Sequence, residues 1–408
     1  MLGSFSSSLQ YEEEEEIPVL PSHHLHYHHH IQQPPPLTIT SPATQLRQLL
    51  ISCAHLISQF DFSAARRLLT ILSANSSLHG DSTQRLVHQF TKALTLRLNR
   101  HVTASATSTV TASNVITHLD SYLSLNQITP FIRFSQLTAN QAILEAIEGQ
   151  AVIHILDFDI MHGVQWPPLM QAIADRYPPP TLRITATGKN PNTLRRTGDR
   201  LSKFAQTLGL KFYFHPLLVI SDEDIISMVS PYILPNETLA VNCMFYLHRL
   251  LKDRDNLLVF LHGIKAMNPK VVTLAEREAN HNHPIFLQRF IEAVDHYAAV
   301  FNSLEATLPP NSGERLTVEQ VWFGREISDI VAEEGEGRRE RHERLRSWEV
   351  MLRSSGFEGV SLSPFALSQA KLLLRLHYPS EGYQVFSLNH CFFLGWQNQP
   401  LFAVSSWH

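Results

Sequence analysis

The sequence predicts an α/β fold: a mostly parallel sheet wound with helices, finished by a C-terminal antiparallel hairpin and preceded by an N-terminal α-helical cap. Three observations carry this. From Ala151 onward, short β-branched runs alternate with helical patterns, as a parallel sheet with crossover helices requires. The run Val152, Ile153, Ile155, Leu156 shows no period-2 alternation, so its strand is expected to be covered on both faces. The stretch from Phe357 onward gives short strands broken by turn residues instead.

Residues 1–41 are expected to form a disordered arm. Ser4–Ser8, Glu12–Glu16, six histidines (His23, His24, His26, His28, His29, His30) and Pro34–Pro36 follow one another, with too little apolar mass to offset ordering entropy. Histidines on an unstructured segment make a poor metal site, and compositional bias accounts for them. Helices follow. Leu46, Leu49, Leu50, Cys53, Ile57 and Phe60 recur at helical spacing, and Asp61 can cap a second helix through Leu68, Leu69 and Leu72. A third spans about 84–98. Thr103–Asn114 reads as a polar linker. Helix resumes at Val115–Leu125, and again after Thr129-Pro130, ending near Gly149.

Strands are predicted at 152–158, 182–188, 211–217, 238–244 and 270–276, with helices at about 167–176, 192–208, 221–229 and 254–266 between them. Pro284–Leu308 is a long amphipathic helix, and a charged helix is expected over Gly337–Ser354. Phe357–Leu362 is a strand, Pro364–Leu374 a helix, and Gln384–Leu388, Phe392–Trp396 and Leu401–Ser405 are strands, the last two forming a hairpin. A parallel sheet closed this way has the Rossmann-like layout of methyltransferases.

Bulk properties narrow the function. The chain has 408 residues, 44% apolar, enough for a sizeable core. Charged residues are 17% and the net charge is −4, so no global basic field attracts nucleic acid. Cys53, Cys243 and Cys391 are far apart and odd in number, which gives no disulfide framework or metal pair. No apolar run approaches the ~20 residues of a membrane span. The N-terminus lacks a basic region followed by an apolar one, so export is not expected.

Two carboxylates, Asp157 and Asp159, stand where the first strand ends, which in a doubly wound sheet faces the ligand crevice. The loop after them has one glycine, Gly163, and the second strand ends Thr187-Gly188-Lys189 without an acid. Both features that hold a nucleotide cofactor are thus absent or altered. Asp157 is read first as a group bonded to its neighbours. A pocket reading would gather Asp157, Asp159, Gly163, Gln165, Asn242 and Glu276, with His162, Asn190, His215 and Glu278 on the same rim. His154, in mid-strand, is read as a buried, hydrogen-bonded histidine. No GxSxG, HExxH or GxxxxGK[ST] motif occurs.

Leu46–Leu50 and Leu247–Leu251 both spell LxxLL, a pattern that docks helices but that amphipathic core helices share. Leu46, Leu49, Leu50, Leu68, Leu69 and Leu72 are offered as a partner surface. Arg195, Arg196, Arg200 and Lys203 sit on one predicted helix and are the better phosphate candidates. Arg338, Arg339, Arg341, Arg344 and Arg346 are interleaved with glutamates, so internal i,i+4 pairs are the simpler account of them.

Ile153, His154, Ile155, Leu156 and Asp157 resemble the VHIID motif of the GRAS family of plant transcriptional regulators, and the continuation through Arg176 follows the family pattern. Leu182–Gly188, Leu239–Leu251, Gly324–Trp348 and Gly395–Trp407 are similar to further family motifs, in the family's order. The wording is most similar to the Lateral suppressor and scarecrow-like branch. The resemblance implies one GRAS domain over 42–408: leucine repeat I at about 43–105, the VHIID region at 122–187, leucine repeat II at 197–229, PFYRE at 239–330 and SAW at 331–408. It implies a nuclear, non-enzymatic regulator without a cofactor, working with other transcription factors, other GRAS proteins or a second copy of itself. The role implied by the branch is axillary meristem initiation and shoot branching. Direct contact with DNA stays open. The alternative is a small-molecule methyltransferase using S-adenosylmethionine.

Overall fold

The computed structural model describes residues 41–102, 121–219, 221 and 224–408. The expected arm, apart from Ser41, and the expected linker Thr103–Asn114 lie outside the described residues. So does the start of the helix read at Val115–Leu125.

The N-terminal helices form as their caps dictate. Ser41 accepts the Thr44 N–H (3.2 Å) at the start of α1 (Pro42–Ser58), and Asp61 accepts the Ala64 N–H (3.0 Å) at the start of α2 (Phe62–Ala74). α3 (Ser82–Val102), a helical stretch α4 (residues 121–128) and α5 (Pro130–Ala146) follow.

The sheet alternates next: β1 (Val152–Asp157), α6 (Trp166–Ala174), β2 (Thr181–Gly188), α7 (Pro191–Thr207), β3 (Phe212–Leu218), α8 (Ile225–Val229), β4 (Thr238–Met244), α9 (Leu247–Leu250), α10 (Arg254–Ala266) and β5 (Val271–Arg277). Then come α11 (Phe286–Thr307), α12 (Gly313–Thr317), a π-helical turn at Val318–Phe323, α13 (Gly324–Ala332), α14 (Leu345–Ser354), β6 (Gly359–Val360), α15 (Pro364–His377), β7 (Tyr383–Leu388), β8 (Cys391–Trp396) and β9 (Gln399–Trp407). The strand order is β3-β2-β1-β4-β5-β9-β8-β7, with β6 on β9. The first five strands are parallel and the C-terminal ones antiparallel, which is the expected methyltransferase-like layout. The β8–β9 turn uses Gln397 and Asn398 with φ of 46° and 68°, the left-handed pair that a two-residue hairpin favours.

Both sheet faces are covered. Ile153 and Ile155 of β1 pack with α5, α6 and α7, while Leu156, Val241 and Leu274 pack with α8, α10 and α14. The cap differs from the sequence reading, which built it from residues 43–149. α3 packs against α11 and α13, and α1 against α11, so the cap draws on both halves of the chain. α5 instead lies on β4, β5 and β9 as a layer of the sheet. A buried pair, Arg85 to Glu319 at 2.9 Å, ties α3 to the π-helical turn.

Two predicted elements shrink. The strand at Phe357–Leu362 is reduced to Gly359–Val360 at the end of β9. The charged helix exists only over Leu345–Ser354. Upstream, Asp329 Oδ1 accepts the N–H groups of Arg339 and Glu340, both at 2.8 Å, and the His342 carbonyl accepts those of His281 and Asn282. Long-range partners take the backbone groups that a helix would have used. The i,i+4 account of Arg338, Arg339 and Arg341 fails for the same reason.

Candidate functional site

β1, β4 and β5 end in one polar row. Strand register pairs Asp157 with Asn242, and Asn242 with Thr273, and residues in register share a face. Asp157 Oδ1 accepts from Asn242 Nδ2 (3.0 Å), and its Oδ2 from the Trp166 indole N–H (2.8 Å). Asn242 Oδ1 accepts from the Thr273 hydroxyl (3.0 Å) and Gln165 Nε2 (3.1 Å). Asn140 of α5 closes the network by donating to the Gln165 carbonyl (2.8 Å). All these side chains are buried, and each polar group has a partner. Burial pushes Asp157 up to about 7, against the pull of its two hydrogen bonds. With both oxygens engaged by neighbours, Asp157 holds the strand ends together.

His154, on the opposite side of β1, places Nε2 2.8 Å from the Thr185 hydroxyl and Nδ1 2.9 Å from Glu237. Burial holds it down at about 3, so it is neutral. The expectation of a buried, bonded histidine is met.

The loop after β1 turns through left-handed Asp159, Met161 and Gly163 (φ 66°, 47° and 58°). The Asp159 N–H donates to the Thr187 hydroxyl (3.0 Å), and its carboxylate pairs with Arg249 of α9. A Cβ on Gly163 would meet Thr197 Cγ2 at 2.7 Å. That glycine lets the loop approach α7; it does not open room for a ligand. Phe158 and Trp166 are both fully buried, but they flank the loop. Phe158 stacks on Tyr246 (5.3 Å between centroids), while Trp166, the first residue of α6, packs in the core shared with α5.

In front of the loop, at the carboxyl ends of the parallel strands, lies a crevice of about 1020 Å³, the place where this class of sheet binds ligands. Asp157, Asp159, Gln165 and Asn190 line one side, and Arg325, Arg338, Arg339 and Arg341 the other. Its lining holds nine Lys/Arg against six Asp/Glu, so its field is positive although the chain is acidic.

The basic wall rests on a buried cluster. Arg338 donates to the His281 carbonyl (2.7 Å) and Arg341 to the Gly335 carbonyl (2.6 Å). Between them, Glu340 Oε2 lies 3.3 Å from His248 Nε2 and 3.2 Å from His342 Nε2. His248 Nδ1 lies 2.8 Å from Glu276, and His342 Nδ1 2.9 Å from His281 Nδ1. Against the effect of burial, the Glu276 and Glu340 carboxylates raise His248 to about 9, whereas burial lowers His342 to about 4. Behind them Arg277 pairs with Glu326 at 2.5 Å.

The residues named from sequence separate. Asp157, Asp159, Gln165 and Asn190 do line the crevice. Gly163 faces α7, Asn242 is buried as the middle member of the polar row, Glu276 is buried behind His248, and His215 sits mid-strand against Tyr232. Glu278 accepts the Leu345 N–H (2.8 Å). Arg195, Arg196, Arg200 and Lys203 are exposed on the outer face of α7, away from the crevice, and Arg200 also donates to the His162 carbonyl. The positive wall comes instead from the segment whose charges the sequence reading cancelled.

Leu50, Leu69 and Leu72 are buried in the monomer, because α1 and α2 pack on each other and on α3, and α11 covers α1. Leu46, Leu49 and Leu68 are half-buried on its edge. Leu247, Leu250 and Leu251 are core as well. Phe60 and Ile71, 69% and 46% exposed, are the outward members of this region. Sequence reasoning missed the His248–Glu340–His342 cluster; its only signal was histidine and glutamate inside two motifs read for other reasons.

A helix-capped, methyltransferase-like sheet, with the loop after β1 closed by the Asp159–Arg249 pair, defines an α/β scaffold of the Rossmann-like class. Residues 46–408 match the GRAS domain family. The chain is 52% identical to Scarecrow-like protein 18 of Arabidopsis thaliana over 405 residues, covering 89% of this chain and 91% of that protein. It is 45% identical to MONOCULM 1 of Oryza sativa subsp. japonica over 400 residues, covering 88% of each. The crystal structure of SCL7 from Oryza sativa superposes with a TM-score of 0.77 at 34% identity, covering 90% of this chain and all of that one. The chain belongs to the GRAS family. It is a plant transcriptional regulator and not an enzyme.

Proposed function

We propose that this protein acts in the nucleus, with protein partners, to initiate axillary meristems and so promote shoot branching. The observation that carries this reading is the 45% identity to MONOCULM 1 along nearly the whole chain. The motif wording of the Lateral suppressor branch supports it. In the described residues no helix is long and apolar enough to cross a membrane.

The surfaces divide the work. Exposed Phe60 and Ile71, and half-buried Leu46, Leu49 and Leu68 of the same helical pair, are the apolar positions offered to another regulator or a second copy. The basic rim of the crevice, at Lys252, Arg325 and Arg339, is where a phosphate backbone would sit.

The test is expression in a plant that forms few axillary buds because it lacks a branching-type GRAS protein. The intact chain, fused to a fluorescent protein, restores buds and collects in nuclei. An Arg325→Glu, Arg339→Glu variant accumulates equally but restores fewer buds. A nuclear, stable chain that leaves branching unchanged would sink this role.

A further inference from the structure

The buried group His248, Glu340 and His342 has more order than an ion pair needs. Its donor atoms lie within 4.8 Å of one another. Both imidazole Nε2 atoms point at the same carboxylate oxygen, at 3.3 and 3.2 Å. Around a tetrahedral zinc ion with bonds of ~2.0–2.1 Å, neighbouring donors stand about 3.3 Å apart. Two edges of that figure are already in place.

The outer partners fit as well. Metal-bound histidines hand their second ring nitrogen to a carboxylate or another acceptor, which fixes the ring and frees the other nitrogen for the ion. His248 Nδ1 is held by Glu276 at 2.8 Å, and the Glu276 carboxylate also accepts the His248 backbone N–H at 3.1 Å. His342 Nδ1 is held by His281 at 2.9 Å. In both rings Nε2 is therefore the nitrogen turned inward. We infer that His248, His342 and Glu340 bind a zinc-class divalent cation in the wall of the crevice, with a fourth position facing the crevice.

The position of the three ligands gives the ion a task. His248 comes from α9, directly after β4, while Glu340 and His342 come from the irregular segment before α14. An ion here would fasten that segment, with Arg338, Arg339 and Arg341, to the end of the sheet. Since His248 and Glu340 line the crevice, a water or a ligand atom there would complete the coordination.

A second cluster, Glu349, His390 and Cys391, also has converging donors, and the six arm histidines can hold zinc adventitiously. The experiment therefore uses the full chain with His23, His24, His26, His28, His29 and His30 replaced by serine. It is stripped with chelator and titrated with zinc against a chromophoric competitor. Cobalt is then added as a spectroscopic probe. The expected result is one zinc per chain, a cobalt spectrum of tetrahedral intensity and a raised melting temperature. Glu340→Gln and His342→Gln should each lose at least tenfold in affinity, Glu276→Gln a comparable or smaller amount, and Cys391→Ser nothing. Melting of the metal-free variants shows whether each remains folded, and Glu340→Gln, the most conservative, keeps the test open if a histidine variant does not. Zinc bound no more tightly by the parent than by folded Glu340→Gln would overturn the site. So would binding lost on Cys391→Ser and kept on His342→Gln.

Discussion

At the scale of single residues, Asp157 shows how a motif can be legible while its job is not. The sequence placed it at the end of a buried strand, and it is there. What it touches could not be read, because Asn242 and Trp166 reach it through strand register and a loop turn. Its titration gives a test. Asp157 titrates at about 7 in the fold against an ordinary 3.8, so the folded chain binds that proton more tightly than the unfolded one. The stability it confers is complete below about pH 4 and is lost as pH rises through about 7. Asn at this position cannot titrate. The unfolding free energy of the parent minus that of Asp157→Asn should therefore fall between pH 4 and 7, by a few kcal/mol at most, and then level off. A difference constant across this range in denaturant titrations would show that the carboxylate stays ionised in the fold.

At the scale of elements, the strands were legible and the apolar stripe was misjudged. β1 to β5 stand out because buried parallel strands need uninterrupted β-branched runs. The stripe on α1 and α2 looked too rich for one neighbour, but it has several, and one of them, α11, lies more than two hundred residues away in sequence. Substitutions should separate the two faces of α2. Leu72 is fully buried, so Leu72→Ala should cost about 2–5 kcal/mol through lost transfer energy and a cavity. Ile71→Asp, on the exposed face, should leave the melting temperature within a degree or two while weakening self- or partner association in sedimentation or co-precipitation. Equal losses of stability in both variants would mean that Ile71 is also core. The segment before α14 was misread for a related reason. Its Glu/Arg alternation suits a helix locally, but Asp329 and His281 supply partners that no local window contains.

At the scale of the whole molecule, the sheet keeps the order of a methyltransferase while the place for a cofactor has been rebuilt. Asp159 is locked to Arg249, Gly163 serves packing against α7, and β2 ends in Gly188 and Lys189 with no acid for a ribose. The missing glycines and acid were visible in the sequence. The basic wall opposite them was not, since it is assembled from α9, α13 and the segment before α14. A fold held in this way offers a positive crevice and an apolar helical patch, both suited to binding. The most direct test of that claim is calorimetric titration of S-adenosylmethionine into the purified full chain. The account predicts no saturable heat into the millimolar range. Low-micromolar binding that Asp157→Ala or Asp159→Ala abolishes would contradict it and return the crevice to catalysis.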